Sequence, residues 1–382
     1  MNRLTPRLLG SAIAMILAAP AAQADIALDV MFGSEVSLEG LVQADANWYD
    51  NDVQDLNGTT GINGKDSEFE LRRAEIVLKG KGTTFDWVIG YDAKADKFLD
   101  TNLKWKLGSS YLLIGQYKQP NSLEELTSTR HNDFISKAMV TNLFGVGRRL
   151  GVAYGSDAGP WGYQVSAFGR ELTRNLNQGQ GFGGRFYYAP IRDGGNVLHF
   201  GVSAMDHDTD GDTSRWRVRP DADLSAVRLV DTGTLANTDR VRTYGLEGLW
   251  IGGPFKVQGE YMRSTTSRTS ATSAPDFTGN SWYVQGVWNL TGEKFGYKNG
   301  LPSTPLPSEP ASGMWQLGLR YDKTDLDDRP VLGGVESNLT VGVNWYWRSN
   351  FKLAANYVHV NSTRRGVDDD PNIVEARAQF YW

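Results

Sequence analysis

Hydrophobic and polar residues alternate along most of this chain. In "NSWYVQGVWNL", Trp282, Val284 and Trp288 fall on one face of an extended chain, and Ser281 and Gln285 fall on the other. Successive side chains of a β-strand point to opposite faces, so a period of two predicts strands. The same period recurs in "NLTVGVNWYWR", "MWQLGLRYD" and "FDWVIGYDAK", whereas the helical period of 3.6 is nearly absent.

The alternation predicts sixteen strands joined by connections of two lengths. Short turns such as "KGT", "DAGP", "DGG" and "GGP" take turns with longer loops. The predicted long loops are 50–66, 119–147, 207–238, 267–278, 292–312, 324–335 and 362–371. The predicted strands are 36–49, 67–80, 84–95, 98–107, 110–118, 148–157, 161–171, 181–190, 196–206, 239–251, 255–266, 279–291, 313–323, 336–348, 351–361 and 372–382.

This rhythm predicts an all-β fold, a 16-stranded antiparallel transmembrane β-barrel with short turns at one end and long loops at the other. No stretch after residue 24 has the run of about 18 apolar residues that a spanning helix needs. Aromatic residues recur near the predicted strand ends, as in the interfacial belts of membrane proteins. These residues are Trp48, Trp105, Trp161, Trp250, Trp315 and Trp347.

The first 24 residues have the features of a secretory signal. Arg3 and Arg7 precede the apolar run "LLGSAIAMILAAPAA", and "AQA" is a small-residue cleavage site. We therefore expect a signal peptide at 1–24, one barrel domain at 25–382, and the outer membrane of a Gram-negative cell as its location. The closing strand "EARAQFYW" resembles the C-terminal signal of bacterial outer-membrane proteins, with Trp where Phe is usual.

The segment "TSRWRVRPD" places three arginines at every second position. In an extended chain Arg215, Arg217 and Arg219 would stand in a row on one face. A row of like charges is unfavourable alone, although the formal net charge of the chain is −5. Rows of Arg and Lys are the expected lining of anion and phosphate pores, where water and passing anions offset the repulsion.

Several segments resemble the phosphate- and polyphosphate-selective porins of Gram-negative outer membranes. They are "ELRRAEIVLKG" (70–80), "IGQYKQPNSLEELTSTR" (114–130), "SWYVQGVWNLTGEKFGY" (281–297), "GMWQLGLRYDKTDLD" (313–327) and "VNWYWRSNFKLAANYVHV" (343–360). The resemblance implies a sixteen-stranded barrel, a homotrimer, and a third extracellular loop that folds into the pore and constricts it. Asn121 departs from the family, which usually has an aromatic residue there.

The resemblance also implies an inner wall of basic residues that pass anions toward a constriction. Arg215, Arg217 and Arg219 match the family's arginine row in kind and approximate position, and Arg228 and Arg242 are weaker additions. The parity of Arg242 is the lipid-facing one. Arg73 falls on the same strand face as Glu75 and Lys79. The remaining candidates, on the wall and near the third loop, are Arg72, Lys118, Arg130 and Arg148.

We therefore expect an anion-selective porin for phosphate, pyrophosphate or polyphosphate, with no enzymatic activity and no cofactor. A general or cation-leaning diffusion porin stays open, because acids accompany the basic rows. A membrane hydrolase fits less well, since there is no G-x-S-x-G, H-E-x-x-H or C-x-x-C motif. A soluble glycan-binding β-protein also fits less well, because it would leave the Trp-rich outer faces unexplained. "DHDTDGD" (206–212) lacks the closing acid of a calcium loop. Expected partners are these anions, outer-membrane lipid and lipopolysaccharide; no metal or nucleic acid is expected.

Overall fold

Sixteen antiparallel strands close into a barrel in the computed structural model, which describes residues 26–31, 34–58, 66–173 and 179–382. The predicted signal peptide lies outside the described residues. The strands are β1 Ser34–Asp50, β2 Ser67–Gly82, β3 Phe85–Asp92, β4 Lys97–Leu107, β5 Ser110–Lys118, β6 Arg148–Ala158, β7 Trp161–Phe168, β8 Gly181–Asp193, β9 Asn196–Asp208, β10 Thr238–Gly252, β11 Phe255–Arg268, β12 Phe277–Asn289, β13 Met314–Asp328, β14 Val331–Trp347, β15 Phe351–Arg364 and β16 Asn372–Tyr381.

Each strand pairs with its sequence neighbours, and β16 closes the barrel against β1. The closing register runs from Leu41 opposite Tyr381 to Asp50 opposite Asn372. A further strand, Ile26–Met31, pairs with the start of β1. Full closure removes the exposed sheet edges that would otherwise pair with other chains. The predicted fold class is confirmed, and the strand bounds agree with the alternation to within about three residues except where β13 and β14 meet.

Two long connections at one end and one at the other decide the shape of the interior. The third and fifth connections at the long-loop end are residues 119–147, named L3, and 209–237, named L5. Residues 290–313, named T6, form the sixth connection at the short-turn end. The expectation that 292–312 lies on the long-loop side was therefore wrong. The expected loop 324–335 was also wrong, because β13 and β14 extend until only residues 329–330 separate them.

Small elements ordered within these connections fill the barrel. In L3 they are the helices α1 Leu123–Leu126 and α2 Met139–Phe144, with a 3-10 turn at Thr129–His131. In L5, Thr213–Ser214 pairs with Leu235–Ala236, and Arg217–Val218 pairs with Val230–Asp231. In T6, Gly296–Lys298 pairs with Leu301–Ser303. In the connection between β15 and β16, Val367–Asp369 pairs with β15. Within the described ranges, none of the helices is long and apolar enough to cross a membrane.

The strand faces divide as the alternation predicts. Inward positions such as Asn338, Thr340 and Asn344 are polar and buried, whereas outward positions such as Leu339 and Val341 are apolar and exposed. The apolar residues buried inside the barrel come largely from the folded-in connections. Met139, for example, belongs to one apolar cluster with α2 residues, L5 and the inner wall. The interior therefore consists of a polar wall and of loops whose apolar residues pack together in small clusters.

Candidate anion pathway

L3 lies across the inside of the barrel and is bonded to the later strands. Lys256 of β11 donates to the Asp133 carboxylate at 2.8 Å, and Asn344 of β14 donates to the Asp133 carbonyl oxygen at 2.7 Å. Gln379 of β16 donates to the carbonyl oxygen of Arg130 at 2.8 Å. Because these bonds hold L3 against β11–β16, open space is left beside β1–β6.

The free backbone N–H groups at the start of α1 are bonded both by the N-cap residue and by a side chain of the barrel wall. The Ser122 hydroxyl accepts from the Glu125 N–H at 3.1 Å, as an N-cap does. The Glu260 carboxylate of β11 accepts from the Leu123 N–H at 2.8 Å. Asn121, the residue that departs from the family pattern, donates to the Phe144 carbonyl oxygen at 2.9 Å and so ties together the two ends of L3.

Arg320 of β13 joins the wall, L3 and L5 in the barrel interior. Its Nη1 donates to the Ser136 carbonyl oxygen at 3.0 Å, and its Nη2 lies 2.7 Å from Oδ2 of Asp221 in L5. Neither side chain is exposed. Burial raises the pKa of Asp221, and the charge of Arg320 opposes that effect. A buried guanidinium needs such partners, so both loops are held by one cation.

A cavity of about 630 Å³ occupies the open side of the lumen. It is bounded by inward residues of β1–β6, by residues 126–130 of L3 and by residues 298–303 of T6. Six basic side chains line it against three acidic ones. The basic residues are Lys79, Lys104, Lys118, Arg130, Arg148 and Lys298, and the acidic residues are Glu39, Glu75 and Asp100.

Three of the residues singled out from the sequence meet in this cavity. Arg130 places Nη2 2.8 Å from Oε2 of Glu39. Arg148 donates to Asp100 through Nε at 3.0 Å and Nη2 at 2.7 Å. Lys118 donates to the carbonyl oxygens of Glu125 and Thr127 in L3, the latter at 3.1 Å. These contacts hold the three cations at fixed points on the wall of the cavity.

Arg72 and Arg73 both contribute to the interior because the β1–β2 register shifts beside them. Gln43 pairs with Arg73, but Ala44 pairs with Leu71, so Arg72 is the extra residue of a bulge. Arg72 reaches Asp223 of L5, with Nη2 2.9 Å from Oδ2. Arg73 places Nη1 3.6 Å from Oε1 of Glu75, one of the acids that line the cavity.

The arginine row of L5 alternates with apolar residues. Trp216 and Val218 belong to the cluster that contains α2, while Arg215 and Arg217 are exposed. Arg215 binds Asp231 with Nε 2.8 Å from Oδ1, and Arg219 donates through Nε to the Ser225 carbonyl oxygen at 2.5 Å. The two apolar residues therefore hold the segment down and present its arginines on the other side.

Arg228 lies close enough to the row to be affected by it. Partial burial lowers the pKa of Arg228, and the charges of Arg219, Arg217 and Arg215 lower it further. Arg228 also donates to the Ala226 carbonyl oxygen at 3.5 Å. The four arginines of L5 thus form one cationic cluster at the long-loop end.

Arg242 does not join the other candidates. It shares the outward face of β10 with Tyr244 and Leu246, both more than half exposed, and it donates through Nε to Oδ2 of Asp206 at 2.9 Å. The inward face at this point carries Val241 and Thr243 instead. Arg242 therefore does not line the lumen, in keeping with its lipid-facing parity.

Lys79, Lys104 and Lys298 line the cavity but were not among the residues selected from the sequence. The sequence could have identified Lys79 as a lining residue, because it lies on the same strand face as Arg73. Lys104 gave a weaker signal, because its place on β4 does not indicate which part of the lumen it meets; its Nζ lies 3.7 Å from the centre of the Tyr111 ring. Lys298 gave none, because it enters the lumen only through the folding of T6.

Two aspartates of the acidic stretch 206–212 form ion pairs with arginines. Asp206 contacts both Arg240 and Arg242, and Asp208 contacts Arg240. Over the described ranges, the His, Asp and Glu side chains form no group of three or more that could hold a metal ion.

A family model described as phosphate-selective porin O and P matches residues 42–382. The chain belongs to this family. Its fold is that of outer-membrane porins.

Two curated relatives agree with this family. An uncharacterized protein of Caulobacter vibrioides is 31% identical over 310 residues, covering 75% of this chain and 62% of the relative. Porin O of Pseudomonas aeruginosa is 27% identical over 230 residues, covering 52% of each chain. The matched part of this chain thus spans between half and two thirds of the length of these relatives.

Solved structures with low sequence identity share the fold. An anion-selective porin from Comamonas acidovorans has a TM-score of 0.56 at 12% identity, covering 91% of this chain and 100% of that one. The trimer form of in-vitro folded OmpT, an outer-membrane protein of Vibrio cholerae, has a TM-score of 0.58 at 10% identity, covering 92% of this chain and 100% of that one.

Proposed function

We propose that the chain is an anion-selective porin for phosphate, pyrophosphate or short polyphosphate. The observation that carries this proposal is the cavity beside β1–β6, where basic side chains outnumber acidic ones by six to three. The L5 arginine cluster would collect anions at the outer mouth, and Arg72 and Arg73 would pass them to this cavity. Family membership supports the same substrate class.

Arginine and lysine suit this task because a phosphate ion must exchange part of its hydration for other donors along the path. Guanidinium groups give several charge-assisted hydrogen bonds to phosphate oxygens and stay charged. A single tight site would trap the ion, whereas several moderate sites in sequence let it move on. The L5 cluster, the Arg72–Arg73 pair and the cavity supply such a sequence.

The acidic residues of the cavity weaken the attraction of the basic residues for an anion. Glu39 pairs with Arg130 and also contacts Lys79, and Asp100 pairs with Arg148. Each pair holds a cation in place and reduces its net attraction for an anion. The surplus positive charge then rests on side chains such as Lys104 and Lys298, which would favour anions without binding them irreversibly.

A general diffusion porin is the second candidate. The observation in its favour is the presence of Glu39, Glu75 and Asp100 in the same cavity, together with a net charge of −5 for the whole chain. In this case the basic residues would serve mainly to hold L3 and L5 in place. The two candidates differ in the sign and size of the ion selectivity.

Single-channel recording in a planar bilayer separates the two candidates. Under a KCl gradient we expect a reversal potential set by chloride, and a current that phosphate or pyrophosphate blocks at low concentration. Removing Lys104 and Lys298 together (K104Q/K298Q) should lower the anion preference by about threefold per charge, if each acts at about 6 Å through water-like screening.

The matched control removes two lysines from the same strand and the same turn that do not line the cavity, Lys106 and Lys294 (K106Q/K294Q). This control should keep the selectivity of the unmodified chain. A cation-selective or unselective channel that is indifferent to phosphate would refute the proposal and favour the general porin. Equal losses in both double variants would refute the assignment of the pathway to this cavity.

We also propose that the chain assembles as a homotrimer, as the family resemblance implies and as the trimer form of the Vibrio cholerae protein illustrates. The molar mass in detergent, measured by light scattering with the detergent contribution subtracted, should be three times the chain mass. A monomeric mass would contradict this assembly.

A further inference from the structure

The outer wall of β10–β13 carries the same vertical order of side chains on each of four neighbouring strands. From the long-loop end downward, a cation or an amide is followed by an aromatic residue, then by aliphatic residues or glycines, then by a second aromatic residue. The first two levels are Arg242 and Tyr244 on β10, Arg263 and Tyr261 on β11, Asn280 and Trp282 on β12, and Lys323 and Tyr321 on β13. The lower aromatic level is Trp250, Phe255, Trp288 and Trp315.

This order places the cations at the height of lipid headgroups. Aromatic belts mark the two membrane interfaces, and the long-loop end of such a barrel faces outward. The cations lie two residues beyond the upper aromatic level, which is about 6–7 Å along a strand. They therefore stand just above the acyl region of the outer leaflet, on the outside of the barrel and away from the channel.

A shallow depression, open to the outside, lies below the cations. Gly248 and Gly259 face each other across β10 and β11 and form its floor. Leu246, Tyr261 and Trp282 form its sides. Since a Cβ at Gly248 would meet no atom within 4 Å, the space above this glycine is open. Its shape and apolar walls suit a hydrocarbon chain.

The cations above the depression are available to an anion. Arg242 shares Asp206 with Arg240, but half of its side chain is exposed. Arg263 and Lys323 are exposed, and no carboxylate of the residues that the structure describes forms an ion pair with either. From β10 to β13 the row spans three strand spacings, about 14 Å, and about 13 Å along the strands, because Arg242 is level with Thr278 of β12 whereas Lys323 pairs with Trp282. The ends of the row are therefore about 20 Å apart. One phosphate would reach only part of such a row, whereas two phosphates separated by sugar rings would reach both ends through the long Arg and Lys side chains.

We propose that this outer wall binds one phosphorylated glycolipid of the outer leaflet, of the lipid A type. Its phosphates contact Arg242, Arg263 and Lys323, and one of its acyl chains lies over Gly248. Basic pockets at the headgroup level are a recognised means of holding anionic lipids. This lipid site is separate from the anion pathway, and its test does not depend on channel selectivity.

Native mass spectrometry of the detergent-purified chain tests the proposal. The probes are hexa-acylated lipid A with two phosphates, the same lipid with one phosphate, and phosphatidylglycerol. The bis-phosphorylated lipid should bind most tightly. Replacing both unpaired cations (R263Q/K323Q) should weaken its binding about thirtyfold, and Gly248→Leu should weaken it by about tenfold by filling the depression.

Two control variants match these changes. Gly286→Leu adds the same side chain at another outward glycine where a Cβ meets no atom within 4 Å, outside the depression. Arg192→Gln removes an exposed cation at the short-turn end. Unchanged lipid binding in both controls supports the proposal.

Three results would overturn it: equal binding of phosphatidylglycerol, equal losses in the control variants, or a change of oligomeric state in R263Q/K323Q. The last would show that the wall is a contact between copies of the chain. Loss of lipid binding with normal anion selectivity separates this proposal from the channel function.

Discussion

The ion pair between Asp223 and Arg72 fastens L5 to the wall, and its removal should release the loop measurably. Arg72 donates to Oδ2 of Asp223 through Nη2 at 2.9 Å and Nε at 3.2 Å. Burial alone would raise the pKa of Asp223, but Arg72, Arg377 and Arg73 outweigh it and hold the pKa at about 2, against an ordinary value of 3.8. At about 1.36 kcal/mol per pKa unit, the ionised carboxylate stabilises the docked loop by about 2.5 kcal/mol.

Replacing this aspartate (Asp223→Asn) removes the charge at nearly constant shape. If this contact limits the opening of L5, opening should become about sixtyfold more frequent, which corresponds to about 2.5 kcal/mol. Hydrogen exchange followed by mass spectrometry measures this directly. A suitable reporter is the Ala226 N–H, which donates to the Leu56 carbonyl oxygen at 2.9 Å and so reports on L5 docking.

The control is Asp276→Asn, at an exposed aspartate between β11 and β12 that accepts from the Arg268 N–H. This change should leave L5 exchange unaltered. Unchanged L5 exchange in the Asp223 variant would refute the reasoning. Uniformly faster exchange throughout the barrel would also refute it, because the pair would then support the whole fold rather than the loop.

The same pair predicts a pH dependence. A carboxyl whose pKa is lower in the docked state contributes stability that is complete above the pKa of the undocked loop, 3.8, and is lost as the pH falls through about 2. L5 protection in the unmodified chain, corrected for the intrinsic exchange rate, should therefore hold down to about pH 4 and decline below it. The Asp223 variant should lack this decline.

Three further changes test other contacts. Arg320→Met leaves Asp221 buried without its cation, so we expect a loss of about 3–5 kcal/mol in the stability of the closed interior and a larger, noisier single-channel conductance. Arg130→Gln leaves Glu39 less compensated, and the reversal potential under a KCl gradient should move toward the cation value. Trp216→Ala removes a ring whose centre lies 5.2 Å from that of Phe144, and L5 exchange should rise as about 3 kcal/mol of packing is lost. An unchanged conductance, reversal potential or exchange rate would contradict the corresponding assignment.

The barrel could be predicted from the sequence because its pattern is local. Each strand alternates between an apolar face toward lipid and a polar face toward the interior, so a period of two is visible within ten residues. The L5 row was readable for the same reason, since Trp216 and Val218 separate its arginines. The folding of L3 into the lumen was implied by the family resemblance and not by the alternation.

The rest of the site depends on contacts that a local pattern does not carry. One extra residue in β2 brings Arg72 to the interior beside Arg73, although strict alternation would separate them. T6 enters the lumen through Arg185, which donates to the Gly300 carbonyl oxygen at 2.9 Å, and through His199, 2.7 Å from the Tyr297 hydroxyl. These partners are 115 and 98 residues apart, so the position of Lys298 could not be inferred from its neighbours.

The way L3 is held has a consequence for the order in which the molecule assembles. Its wall partners come late in the chain: Arg320 is 184 residues from Ser136, and Gln379 is 249 residues from Arg130. Contacts at such separations form slowly, because the chain must first lose the entropy of a long closed segment. L3 should therefore dock only when the last strands have paired. Until then the lumen of the nascent barrel is wider, and completion of the C-terminal strand both closes the wall and lets L3 fill part of the lumen.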